Sequence, residues 1–182
     1  MHYCKKVRLK DGTECILRNA ESPDAEAFLD YFILCHSETD YLTTYPDETV
    51  QDLEKVAARL SAAAQSPSNI EILAVVDGKV AGSAGIGMVK DRDKTRHRAD
   101  FGISVLKDYW GNGIGSALTE ACIECAKKAG FLQLELEAVS ENESALGLYL
   151  KYGFVEYGRN PKGFLTRAGK WQELVLMRLE LK

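Results

Sequence analysis

Hydrophobic and polar positions alternate along this chain in two distinct periods, and each change of period marks a new element. Thr13 to Asn19 predicts a short strand. Ser22-Pro23-Asp24 sets a helix start, with Ser as cap, Pro at the first helical position and acid in the first turn, ahead of Ala25, Phe28, Leu29 and Phe32. That helix runs to about His36. Ser37 to Pro46 shows no clear period and ends in a turn signal, a natural rim for a site; Thr49 then caps a second helix carrying Val50, Leu53, Val56, Ala57 and Leu60. Ile70 to Val76, the tight Asp77-Gly78 turn and Lys79 to Lys90 read as a hairpin, because Asp-Gly accepts the positive φ angles of a two-residue turn. His97 to Leu106 extends that sheet by a third strand.

From Ile114 the period becomes helical and lasts until Gly130, a good carboxy-terminal cap. Leu132 to Val139 sets Leu132, Leu134, Leu136 and Ala138 against Gln133, Glu135 and Glu137, the mark of a strand covered on one face. Asn142 to Tyr152 predicts a short helix stopped by Gly153, with Phe154 to Tyr157 and Trp171 to Leu181 as closing strands. No internal repeat, linker or low-complexity block interrupts the series. This order predicts an α/β sandwich on a mixed sheet, neither a barrel nor a doubly wound fold.

Composition narrows the picture. The chain has 182 residues, 46% apolar and 27% charged, which suits one globular domain spanning 1–182 and excludes collagen-like, disordered and coiled-coil classes. No stretch approaches the roughly 20 apolar residues of a membrane span. The basic start, Met1 to Lys6, runs into Val7-Arg8-Leu9-Lys10-Asp11 without an apolar core, so a cytoplasmic location is expected. A net charge of -4 with scattered basic residues argues against a nucleic-acid partner. Five cysteines, an odd number, suit a reducing compartment. Cys122 and Cys125 have redox or zinc half-site spacing, but on a helix they share the stripe Ile114, Ala117, Leu118, Ala121 and Ala129, a core-facing pattern. No second pair or nearby His completes a metal site, so no metal is expected.

The chemistry concentrates at Trp110-Gly111-Asn112-Gly113-Ile114-Gly115-Ser116, three glycines at alternate positions where a strand gives way to a helix. A helix start presents unpaired N–H groups, and glycine lets a ligand approach them, so a pyrophosphate fits here. Taken alone, such a loop also serves as a tight turn through geometry only. A dinucleotide fingerprint from Gly111 would need Gly at 116, where Ser116 stands, and a nucleotide-hydrolase loop would need Lys after its last glycine. Gly82 to Gly87 is a second glycine cluster, but inside a strand pattern it marks a bulge or close packing.

Two segments resemble the GNAT superfamily of acetyl-CoA-dependent N-acetyltransferases. Ile103-Ser104-Val105 followed by Trp110-Gly111-Asn112-Gly113-Ile114-Gly115 is similar to its central motif, and Asn142-Glu143-Ser144-Ala145-Leu146-Gly147-Leu148-Tyr149-Leu150-Lys151-Tyr152-Gly153-Phe154 to its second. Trp110 departs from the Arg or Gln usual in the family. The order of elements fits from about Thr13 to Leu181. The resemblance implies a mixed, mostly antiparallel sheet of six to seven strands with about four helices. It also implies that the strand at Ile103 to Val105 is splayed from its neighbour by a bulge, so that its backbone pairs with the pantetheine arm.

On this resemblance Gly111 to Ser116 hold the pyrophosphate, Val105 N–H is the oxyanion donor and Tyr149 is the acid for the departing thiolate. Asn142 caps its helix and also bonds the pantetheine. For the base, Asp100, Glu38, Asp40 and Glu137 stay open, with Glu38 and Asp40 also placed to receive a cationic acceptor; each is equally an ordinary solvated carboxylate. The implied activity is transfer of an acetyl group to a primary amine of a small molecule or peptide by direct attack, with a homodimer left open. The rival is a non-catalytic acetyl-CoA-binding sensor or assembly module.

Overall fold

A computed structural model describes residues 2–48 and 52–182. At the expected hairpin, Asp77 and Gly78 take φ of 48° and 77°, and β3 (Ile70–Val76) folds back on β4 (Lys79–Met88). The remaining strands are β1 (Cys4–Arg8), β2 (Glu14–Asn19), β5 (Arg98–Val105), β6 (Gln133–Val139), β7 (Val155–Leu165) and β8 (Trp171–Glu180). They form one sheet in the order β1-β2-β3-β4-β5-β6-β8-β7, antiparallel at every joint except the parallel pair β5 and β6. The helices are α1 (Ala25–Ser37), α2 (Leu53–Gln65), α3 (Ile114–Lys128) and α4 (Glu143–Lys151).

The sheet has eight strands, not the six to seven expected. The extra strand is β1, which the sequence pattern hides because nearly all its side chains are exposed; its ladder with β2, from Cys4 opposite Arg18 to Arg8 opposite Glu14, places it at the sheet edge. β7 is longer than Phe154 to Tyr157 for the same reason, an exposed edge strand paired only with β8. Ser22 does not cap α1; it opens a short 3-10 turn, Ser22–Asp24, in which Glu21 N–H donates to Asp24 Oδ2 at 2.8 Å. Thr49 and Val50 lie outside the described residues, and Asp52 caps α2 by accepting from Glu54 N and Lys55 N.

The two faces of the sheet carry two cores. α3 covers the larger, with Ile114, Leu118 and Cys122 packed on Ile72, Ala84, Phe101 and Leu134, while α1 and α2 cover the smaller with Phe28, Tyr31 and Leu60 on Leu73 and Val80. Gly82 shows what its cluster does: a Cβ there would lie 3.2 Å from both Ile114 Cγ2 and Leu118 Cδ1, so glycine lets α3 approach β4 closely. Cys122 and Cys125 are fully buried in this core, and burial raises both thiols, Cys125 to about 11, which removes the accessible dithiol a redox site requires.

In β6 the expected alternation fails at two positions. Leu132 precedes the strand and is 60% exposed, whereas Glu135 is buried. Glu135 is tolerated inside because the Arg98 guanidinium forks onto its carboxylate and Gln133 Nε2 donates to Oε1 at 2.8 Å. The Arg98 bond holds the Glu135 carboxyl below the usual range. A carboxyl depressed on folding stabilises the protein above its unfolded value of about 4.3, and that contribution fades as pH falls through the lower folded value. Glu135→Gln is therefore expected to lose about 1–2 kcal/mol at pH 7, a few degrees of Tm, with a smaller gap to the wild type below pH about 4. Thermal melts across pH check this; a gap constant down to pH 3 would refute it.

Candidate active site

The site begins where β5 and β6 part. Their parallel pairing covers only Arg98 with Gln133, Ala99 with Leu134 and Asp100 with Glu135. Beyond that point each strand stays with its other neighbour, β5 with β4 up to Val105 opposite Gly82, and β6 with β8 up to Val139 opposite Leu174. The β4 and β5 ladder is one-to-one throughout, so the expected bulge in β5 is absent. The opening instead comes from the early end of the parallel pairing; the irregular register nearby lies between β3 and β4, at Ala74 and Val75.

Ladder alternation decides which backbone groups face the gap. Leu106 N donates to Ala81 O and Val89 N to Arg98 O, so the even-numbered residues of β5 turn their N–H and C=O to β4. Ile103 and Val105 consequently aim theirs away from β4, into the gap. The same logic, from Leu181 N to Leu132 O and Ser140 N to Glu173 O, turns Glu137 and Val139 of β6 toward it from the other side. The Val105 carbonyl accepts the Trp110 indole N–H at 2.7 Å, which leaves its own N–H facing the gap. This explains how a half-exposed aromatic serves where the motif usually has Arg or Gln: Trp110 ties the end of β5 to the following loop.

The three loop glycines have different tasks. Gly111 and Gly113 take φ of 80° and 99°, conformations that favour glycine, whereas a Cβ on Gly115 would stand 3.3 Å from Leu148 Cδ2, where α3 meets α4. Gly113 is the N-cap of α3 and brings no side-chain cap, and the first turn carries no acid. The first N–H groups of the helix therefore lack a side-chain acceptor and favour an anion, and Ile114 and Ser116 begin that helix. The loop is backed by the β1–β2 turn: Lys10 N donates to Asn112 O at 3.1 Å, and Asn112 Nδ2 to Asp11 Oδ2 at 3.1 Å. Lys10 thereby reaches the cleft wall, a residue with no signal in the sequence because the contact spans a hundred positions.

On α4, Asn142 Oδ1 caps the helix by accepting from Ala145 N at 3.2 Å, and Gly153, φ 87°, ends it. Tyr149 between them is 7% exposed and stands edge-on to Phe101, 6.2 Å between ring centroids. Burial pushes its hydroxyl up to about 12, so it keeps its proton at neutral pH. That hydroxyl has no hydrogen-bond partner among the described residues. Tyr149, Asn142, the Gly111–Ser116 loop and the free edges of β5 and β6 converge on one cleft of about 1120 Å³.

Asp100 and Glu137 border this cleft from facing strands. Asp100 stands at its mouth, where partial burial, and then the nearby Glu135, raise its carboxyl above the usual value. Glu38 and Asp40 are not on the wall. Glu38 Oε2 accepts from Lys107 N at 2.8 Å, holding the short 3-10 helix Lys107–Tyr109 that leads into the glycine loop, and Asp40 is exposed on the rim. No group of three or more His, Cys, Asp or Glu placed to hold a metal occurs among the described residues.

Known proteins are similar to this chain in sequence and fold. Residues 27–154 match the model of the acetyltransferase (GNAT) family. The L-amino acid N-acetyltransferase AaaT of Escherichia coli is 30% identical over 91% of this chain and 97% of its own length. An L-methionine sulfoximine/L-methionine sulfone acetyltransferase of Pseudomonas paraeruginosa is 29% identical over 74% of this chain and 78% of its own. A crystal structure of a GNAT-family acetyltransferase from Streptococcus pneumoniae superposes with a TM-score of 0.87 at 33% identity, covering 91% of this chain and 99% of that one. The parted strands, the uncapped helix behind a glycine loop and the tyrosine between them are thus found in a chain that belongs to the acetyltransferase (GNAT) family.

Proposed function

We propose that this N-acetyltransferase acetylates the primary amine of a small molecule by direct attack in the gap between β5 and β6, with Tyr149 as acid and Val105 N–H as oxyanion donor. The observation that carries the reading is the early end of the β5 and β6 pairing at Asp100 and Glu135, which leaves Val105 N–H unpaired on the cleft that the buried Tyr149 also lines. Acetyl-CoA supplies the thioester, and its chemistry suits the residues present. The uncapped start of α3 takes an anion, and the edge groups of Ile103 accept and donate as a neighbouring strand would.

Each step then belongs to a named group. Asp100 takes the proton the ammonium must lose, and a carboxyl raised by burial is a stronger base than one in water. Glu137 is the alternative across the gap. Val105 N–H, fixed by its strand, stabilises the carbonyl oxygen as it gains charge. Tyr149 gives its proton to the departing sulfur.

The small-molecule acceptor is supported by the two relatives named for amino acid substrates. An acceptor screen with thiol detection tests the reading: amine-dependent release of CoA is expected. Tight acetyl-CoA binding with no release across small amines and peptides would overturn it and leave a binding module. Asp100→Asn against Glu137→Gln separates the bases, and the larger loss of kcat/KM is expected for Asp100→Asn.

A further inference from the structure

Val105 N–H is one end of a peptide unit whose other end is the Ser104 carbonyl. In a trans peptide the two point in opposite directions, so while the N–H faces the gap the carbonyl turns toward β4. That carbonyl also has a partner outside the sheet. Tyr31 of α1, 73 positions earlier in the chain, donates its hydroxyl to Ser104 O at 2.8 Å, and the same phenol oxygen stands 2.6 Å from Ser104 Oγ. One O–H carries one proton, so with that proton on the carbonyl the Ser104 hydroxyl donates in return. Both bonds end on the residue before Val105.

Tyr31 is 3% exposed and packs beside Phe28, 6.0 Å between ring centroids. Burial holds its hydroxyl well above the usual phenol value, so it keeps its proton and stays a donor. A buried phenol requires a partner, and Ser104 Oγ alone would meet that requirement. The bond to the carbonyl is a further one, and it falls on the peptide whose N–H faces the reacting thioester. The next peptide is held as well, since the Trp110 indole N–H sits on Val105 O at 2.7 Å. Beyond Asp100 the strand keeps β4 on one edge only, so these two side chains supply a restraint that β6 no longer gives.

We propose that Tyr31 is a positioning residue for the oxyanion donor: its hydroxyl, bound to Ser104 O, fixes and polarises the Ser104–Val105 peptide so that Val105 N–H meets the developing charge already aligned. The inference rests on the role proposed for Val105 and adds the residue that acts through it. A hydrogen bond accepted by a peptide carbonyl draws charge through the amide and strengthens donation by the N–H at the far end. A donor fixed in this way needs no reorganisation as the carbonyl oxygen gains charge, which is where such groups lower a barrier.

Tyr31→Phe keeps the ring and removes only the hydroxyl. Its single-turnover rate is expected to fall about 5- to 30-fold, a part of the 10²–10³ that a whole oxyanion donor is worth, with acceptor KM and the acetyl-CoA Kd nearly unchanged. Ser104→Ala leaves the phenol on the carbonyl and should lose less than about twofold. Phe28→Leu loosens the same packing without touching Ser104, so it should lower Tm and keep the rate within about twofold. Infrared spectra of bound acetyl-CoA, isotopically labelled at the thioester carbonyl, supply a readout that packing alone does not move. The wild type should shift the carbonyl stretch to lower frequency, and Tyr31→Phe should shift it less. A wild-type shift that Tyr31→Phe reproduces at an unchanged rate would overturn the role of Tyr31 and leave that of Val105 standing. An equal rate loss in Phe28→Leu would also overturn it, returning Tyr31 to packing. No shift in the wild type would sink the oxyanion role of Val105, and that of Tyr31 with it.

Discussion

Tyr149→Phe is expected to lower kcat by about 10²–10⁴-fold, the usual contribution of a general acid, with the acetyl-CoA dissociation constant nearly unchanged. The hydroxyl has no hydrogen-bond partner to lose among the described residues, and the ring keeps its contacts with Phe101 and Phe154. Stability should therefore hold. The groups proposed to hold the pyrophosphate are backbone N–H groups of α3 and its loop, which the loss of one hydroxyl on α4 leaves in place, so binding should hold as well. Because burial pushes the phenol pKa up to about 12, the alkaline fall expected when a general acid loses its proton should not appear in a wild-type rate profile below about pH 10, and the variant's loss should be uniform across neutral pH. Single-turnover acetyl transfer measures the step without product release. A Tyr149→Phe rate equal to the wild type would return Tyr149 to a packing role.

Gly113→Val should weaken acetyl-CoA binding by about 100-fold or more, for two reasons that add. Gly113 has φ of 99°, which a β-branched residue adopts only with strain, so the helix start would shift. Its Cβ would also project into space where only Lys10 Cγ, at 3.9 Å, lies nearby, the side from which an anion reaches the first N–H groups of α3. The strain costs about 1–2 kcal/mol, a few degrees of Tm in a chain this size, so the variant should fold. Calorimetry on the folded variant decides the matter. Unchanged affinity would remove the loop from cofactor binding.

Local signals carried the sequence reading a long way, because they concern residues close in the chain. The Asp77-Gly78 turn, the caps at Asn142 and Gly153 and the glycine loop before Ile114 are each set by the backbone angles of a few consecutive residues, and all appear as expected. The periods of α3 and of the β3–β4 hairpin are likewise local, since burial of one face or both selects them. Where the pattern failed, the deciding partner was distant. Glu135 looked like an outward residue until Arg98, on another strand, supplied its counter-charge. β1 carries almost no buried side chain, so only its ladder with β2 makes it a strand.

The site divides the same way. Sequence alone determined the chemistry on single elements: the anion-ready start of α3, the tyrosine on the buried face of α4 and the strand before the loop. Tertiary structure alone decided where β5 leaves β6, and hence that the N–H of Val105 is unpaired, because strand pairing is a relation between segments thirty residues apart. It assigned Glu38 to the Lys107 N–H and brought Lys10 to the glycine loop. Each of these depends on which surfaces meet when the sheet closes against its helices, and no period or spacing along the chain encodes that meeting.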